Sequence, residues 1–191
     1  MKKNLLISVL MTIATTILLG IIYPLVVTGL AQLFFKDKAN GQLIVQNGQV
    51  VGSRIIGQAF TSPAYFHSRP SSAGNGYDAA NSNGSQLGPT NHALIDRVKA
   101  DVASNQADNP GRPVPIDLVT SSGSGLDPHI TPAAAEFQVL RVAKERGVDR
   151  EQLRQLIARH TERRQWGFLG EPRVNVLELN LDLDQRYPLG K

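Results

Sequence analysis

From Leu5 to Phe35 the chain is one apolar run dominated by Leu, Ile, Val, Ala, Thr and Gly, and no residue from Asn4 to Phe35 is formally charged. A bilayer core is crossed by about 20 apolar residues in a helix rising about 1.5 Å per residue. The pattern therefore predicts a single membrane-spanning helix within residues 1–35. Gly29-Leu30-Ala31 has the form of a signal-peptide exit, but the apolar core of such a peptide is only roughly 7 to 15 residues long. An uncleaved anchor fits better. Within the span Ser8, Thr12, Thr16, Gly20, Pro24, Thr28 and Gln32 recur at every fourth position, a stripe of small or polar groups that lets another helix approach closely. Ser8, Thr12, Thr16 and Gly20 are its candidate docking residues. The hydroxyls can equally bond back to carbonyls of their own helix.

Residues 36–191 change character. Gln42 to Val45 and Gln49 to Ile56 flank Asn47-Gly48, a pair that signals a two-residue hairpin between β-branched runs. Pro63 to Pro89 carries no sustained period and is rich in Ser, Gly and Asn, yet Tyr65, Phe66 and Tyr77 argue against a disordered linker. Thr90 or Asn91 caps a helix with Leu94, Ile95, Val98 and Val102 on one face, ending near Asn105. Val114, Ile116 and Leu118 alternate as a short strand. Thr131-Pro132 opens a helix that Gly147 stops, with Phe137, Val139, Leu140, Val142 and Ala143 as its core. Asp149 and Gln152 form a capping-box pattern, stapled by Val148 and Leu153, for a helix burying Leu153, Leu156 and Ile157. Val174 to Asp184 reads as one alternating strand with Asp182 and Asp184 on its exposed face. The whole is α+β: one transmembrane helix, then a single extramembrane mixed α+β domain.

The mean hydropathy of −0.16 averages over these two unlike parts. The formal net charge is +4, and beyond Phe35 the balance is nearer neutral, which is no nucleic-acid footprint. The absence of cysteine excludes disulfides, thiolate metal sites and Cys nucleophiles. His67, His92, His129 and His160 are scattered without metal-ligand spacing. Gly74-Asn75-Gly76-Tyr77-Asp78-Ala79 fits the dinucleotide pattern by letter, but no strand precedes it. There is no Walker lysine motif. Ser122, Gly123, Ser124 and Gly125 can present backbone N–H groups to a phosphate as a nest, or simply make a tight turn. Ser124 lacks the G-x-S-x-G elbow.

Five blocks carry a resemblance: Tyr65-Phe66-His67-Ser68-Arg69-Pro70-Ser71, Gly84-Ser85-Gln86-Leu87-Gly88-Pro89-Thr90-Asn91, Asp117 through Ile130, His160-Thr161-Glu162, and Leu169 through Leu177. Together and in this order they resemble the signature blocks of the C subunit of the Kdp-type potassium-transporting ATPase. Gln165-Trp166 stands where that family commonly has a small residue or Leu before Gly167.

The resemblance implies an accessory subunit of a high-affinity potassium importer of the inner membrane, whose partners are an ion-path subunit and a P-type ATPase subunit. It implies a catalytic chaperone that raises the ATP affinity of the ATPase subunit, with no cofactor of its own beyond ATP shared with that subunit. The chain lacks an Asp-Lys-Thr-Gly-Thr phosphorylation motif, so the expectation is that it assists hydrolysis without performing it. Lys2 and Lys3 face Lys36 and Lys38 across the span, so charge decides little about orientation. The short N-terminal tail and the family topology place the N-terminus in the cytoplasm and the domain in the periplasm. An effect on ATP then has to travel through membrane helices. Tyr65, Arg69 and Asp127, in two loops spanning residues 63–91 and 121–130, are the expected contacts to the ion-path subunit. The alternatives are an anchored hydrolase using Ser124 or Asp127, and a stand-alone anchored binding protein.

Overall fold

The computed structural model describes residues 1–189 and divides into two units, Met1–Val51 and Gly52 onward. In the first, α1 (Lys2–Ile17), a π-helical turn (Leu18–Ile22) and α2 (Tyr23–Phe34) follow one another. Together they make one helix, Lys2–Phe34, long and apolar enough to cross a membrane. The π turn has a local cause. Pro24 has no N–H for the carbonyl of residue 20, and its ring would clash with that carbonyl in a regular helix. Widening the preceding turn, with the Tyr23 N–H reaching back to Leu18 O, relieves both problems. The short α3 (Lys36–Ala39) follows. Then β1 (Leu43–Gln46) and β2 (Gln49–Ser53) pair as a hairpin. Asn47 and Gly48 both have positive φ, 51° and 79°, as the twist of a two-residue hairpin requires.

The second unit holds α4 (His92–Asp108), a 3-10 turn (Ile116–Leu118), β3 (His129–Ile130), α5 (Pro132–Arg146), α6 (Arg150–Arg159), β4 (Thr161–Glu162), β5 (Arg173–Asn175) and α7 (Val176–Arg186). The strands form an antiparallel sheet in the order β3-β5-β4. His129 pairs with Asn175, Ile130 and Thr161 flank Val174, and Glu162 pairs with Arg173. Helices α5 and α6 pack on each other, and both α5 and α7 pack on β5. The core is Phe66, Ile130, Phe137, Val139, Val142, Leu153, Leu156, Val174, Val176, Leu179 and Leu183, with neighbours from the same elements.

The expected caps are in place. Asn91 accepts from Ala93 N at 2.9 Å, Thr131 Oγ1 from Ala134 N at 3.2 Å, and Asp149 from Glu151 N at 2.9 Å. Gly147 closes α5 at φ 65°. Helix α4 runs three residues beyond Asn105, and its apolar stripe is only half buried.

Two expectations fail. Val114, Ile116 and Leu118 are not a strand. Pro113 and Pro115 supply no ladder N–H groups, and the chain instead makes a 3-10 turn that buries Asp117 and Leu118 and leaves Ile116 70% exposed. The Asp117 carboxylate accepts the Thr131 N–H at 2.7 Å.

The alternating segment from Val174 is a strand only through Asn175. That residue accepts from Glu178 N at 3.1 Å and caps α7. Residues 177–186 contain no β-branched side chain, and Leu, Glu, Gln and Arg favour a helix. Val176, Leu179, Asn180 and Leu183 face the core at helical spacing. Asp182 and Asp184 consequently point to different sides rather than sharing an exposed face. Asp182 meets His160 Nε2 at 2.9 Å and Arg186 Nε at 2.7 Å. Asp184 accepts from Tyr65 Oη at 3.0 Å and Arg146 Nη2 at 2.7 Å.

Candidate functional site

Residues 54–91 form no helix or strand, yet much of this stretch is fixed. Phe66 is fully buried, and the backbone around it is held by two amides with almost no exposure, Gln138 on α5 and Asn180 on α7. Asn180 Oδ1 accepts from Phe66 N, and its Nδ2 donates to Phe66 O, both at 2.9 Å. Gln138 Oε1 accepts from His67 N at 2.7 Å while its Nε2 donates to His67 O at 3.1 Å. These amides satisfy backbone groups that a sheet ladder would otherwise have to satisfy.

The serine-glycine loops are tied to each other. Ser71 Oγ donates to Gly125 O at 2.6 Å and accepts from Tyr77 N at 2.7 Å. Ser124 O accepts from Asn83 N at 2.9 Å and from Ser82 Oγ at 3.0 Å. Gly125 has φ 68°, and a β-carbon there would lie 2.5 Å from Asn83 O and 2.7 Å from Ala73 N. Only glycine permits this approach. Tyr77 Oη donates to Arg69 O, and burial pushes the Tyr77 phenol up to about 12.

Beyond these braces lies an open cleft of about 340 Å³. Its lining comes from Arg69, Asp117, Asp127, the stretch from His129 to Thr131, Arg163, Gln165 and the stretch from Leu169 to Arg173. Three of the five blocks quoted above converge here. Arg69 Nη1 reaches Asp127 Oδ2 at 3.2 Å, and Arg69 Nε donates to Thr120 O at 3.3 Å. Asp127 Oδ1 accepts from His129 N at 3.0 Å. Burial would raise the Asp127 carboxyl, but the bonds from His129 and the charge of Arg69 outweigh it and hold the group below its ordinary value. Arg173 pairs with Glu162 and Glu171 with Arg164. Arg163 makes no ion pair among the described residues.

Of the three expected contact residues, Arg69 and Asp127 are thus brought together, whereas Tyr65 belongs to another cluster. Its ring lies 4.7 Å beneath the Arg146 guanidinium and 5.5 Å from Phe60. Ser122 to Gly125 fold as a turn, with Gly125 N donating to Ser122 O at 3.3 Å. Ser124 Oγ accepts from Leu126 N at 3.1 Å and, among the described residues, otherwise meets only the Ser122 hydroxyl, so none of them is a base placed to activate it. In the span, Ser8 Oγ donates to Asn4 O at 2.7 Å and Thr12 Oγ1 to Ser8 O at 2.9 Å. Gly20 lies within the π turn.

Sequence reasoning missed the buried amides and the hairpin at the cleft's rim. There Gln165 and Leu169 pair across a turn, and Arg164 Nη2 binds both oxygens of Glu171 at 2.8 Å. The signal was available in Gly167 and Gly170, both of which adopt positive φ.

Comparison with known proteins places this geometry in context. Residues 5–185 match the family described as KdpC, the c chain of K+-transporting ATPase. The chain is similar to the potassium-transporting ATPase KdpC subunit of Koribacter versatilis, 70% identical over 189 residues that cover 99% of this chain and 98% of the relative. It is 58% identical to the subunit of the same name from Acidobacterium capsulatum, covering 94% and 97% of the two chains. Against that of Rhodospirillum rubrum it is 57% identical, covering 92% of each.

Proposed function

The chain belongs to the KdpC family, the c chain of K+-transporting ATPases, and from that premise we propose how this accessory subunit of potassium transport does its work. It is a non-catalytic, single-pass subunit of the inner membrane with its N-terminus in the cytoplasm and its domain in the periplasm. The long apolar helix anchors it, and the stripe from Ser8 through Gly20 docks on a membrane helix of the complex. The cleft beside Arg69 and Asp127 receives a segment of the ion-path subunit.

The observation that carries this reading is the convergence of three signature blocks on one cleft, braced by loops that leave little freedom to reorganise on binding. Such pre-organisation lowers the ordering cost of association. The hydrolase alternative loses support because Ser124 has no base beside it among the described residues and Asp127 is engaged by Arg69 and His129.

As a catalytic chaperone the subunit raises the ATP affinity of the ATPase subunit. With its domain outside, that effect is a coupling through membrane helices, and couplings of this kind are typically about 5- to 150-fold. The test is the assembled transporter with and without this chain. Potassium-stimulated ATP hydrolysis should need the chain, and the paired substitutions Arg69→Gln and Asp127→Asn should weaken co-purification with the ion-path subunit. Full assembly and an unchanged KM for ATP in that variant would refute the role of the cleft. Protease protection of the domain in intact spheroplasts would refute its placement.

A further inference from the structure

Among the described residues, the hairpin between β4 and β5 carries the most exposed large apolar side chain outside the span, Trp166, with two more beside it. Trp166 is 86% exposed and Phe168 is 68% exposed, with Leu169 at 43%. The hairpin is built rather than loose. Leu169 N donates to Gln165 O at 3.0 Å, Gln165 N to Leu169 O at 2.9 Å, and the Arg164–Glu171 pair ties its base. Trp166 sits at φ 51°, followed by Gly167 at φ 84°. A left-handed position is one that glycine or asparagine occupies most easily, so the fold holds a bulky indole where a small residue would fit better.

The charge around this tip is mixed, with arginine in excess. Glu171 and Glu162 are each taken by an arginine. Exposed Arg163 has no ion-pair partner among the described residues. Exposed Trp and Phe beside free Arg is the composition that settles at the boundary between lipid headgroups and acyl chains. There the indole finds both an apolar body and a hydrogen-bonding edge, and arginine forks bind phosphate oxygens. The same polypeptide supplies a membrane-crossing helix ending at Phe34. Tethering of this kind raises the effective concentration of bilayer around the domain into roughly the millimolar range, so a small tip suffices.

We propose that the 163–171 hairpin is a membrane-interface anchor: Trp166 and Phe168 insert into the headgroup region of the leaflet the domain faces, and Arg163 binds anionic lipid phosphate. This contact gives the domain an attachment to the bilayer of its own, besides the membrane helix.

Trp166 is the only tryptophan of the chain, so the intact protein reports on itself. The full chain is reconstituted into vesicles of phosphatidylglycerol and phosphatidylethanolamine whose acyl chains are brominated either near the headgroup or deep in the bilayer. The expected result is blue-shifted Trp166 emission, quenched at least twofold by the shallow bromines and less by the deep ones. Arg163→Glu, a change at an exposed residue of the cleft lining with no ion pair among the described residues, should reduce the quenching at least twofold in these vesicles, which hold no other subunit. Raising the salt concentration or replacing phosphatidylglycerol with phosphatidylcholine should act in the same direction. Emission typical of water with no quenching overturns the proposal. So does an indole that becomes shielded only when the other transporter subunits are added, since the tip would then be a protein contact.

Discussion

Asn180 clamps Phe66 through both halves of its amide, donating to the Phe66 carbonyl and accepting its N–H at 2.9 Å each, across 114 positions of sequence. This clamp takes an extended segment without secondary structure into the core. The Asn180→Ala variant leaves two buried backbone groups without partners, a cost of about 1–3 kcal/mol each. Denaturant unfolding of the detergent-solubilised chain should show a loss of about 2–6 kcal/mol. Asn180→Asp should also destabilise, because a carboxylate cannot donate to the Phe66 carbonyl.

Arg69 and Asp127 give the cleft a measurable signature. The Asp127 carboxyl should titrate below its ordinary 3.8, and Arg69→Met should move it upward. A folded value below the unfolded one means that the contribution to stability is present above about pH 3.8 and is lost as pH falls through the folded value. Carboxyl NMR of the two proteins measures both shifts. An Asp127 that titrates identically in them would show that the arginine exerts no field on it.

His67 predicts sensitivity to mild acid. Burial, with Arg141 nearby, lowers this imidazole below its ordinary 6.5, although the Ser62 carbonyl bound to Nε2 pulls the other way. The folded chain disfavours the charged ring. The stability contribution is complete above 6.5 and declines as pH falls from there through the lower folded value. Melting temperature should therefore drop across that interval in the native chain, and more shallowly in His67→Gln.

The stripe in the span makes a prediction of another kind. Replacing Thr12, Thr16 and Gly20 by Leu removes the close-approach surface while keeping the helix apolar. Recovery of the other subunits with this chain should fall at least tenfold, with the domain's thermal unfolding unchanged. Undiminished recovery would assign the hydroxyls only the back-bonds that Ser8 and Thr12 make to their own helix.

The helices were legible wherever a local chemical signal marks an end. Asn91, Thr131 and Asp149 announce starts, Gly147 announces a stop, and Asn47-Gly48 announces the hairpin. The segment Val174 to Asp184 misled because Leu residues at every second position suit a strand by period and a helix by propensity, and only the cap at Asn175 discriminates. The resemblance blocks located Arg69 and Asp127. Their meeting depends on braces between residues more than forty positions apart, such as Ser82 with Ser124, which no local pattern records. Gln138 and Asn180 were invisible for the same reason: each looks like an ordinary polar residue on a helix until the segment it clamps is known.

The π turn at Leu18–Ile22 has a consequence for the geometry of the span. A row with a spacing of four on a helix of about 3.6 residues per turn overshoots by about 40° at each step. From Ser8 to Gln32 a regular helix would wind the row about two thirds of the way around its circumference. The extra residue accommodated by the π turn takes back about 100°, which confines the row to less than half of the circumference. A nearly straight neighbouring helix can then follow the small residues from one face of the bilayer to the other without coiling around them.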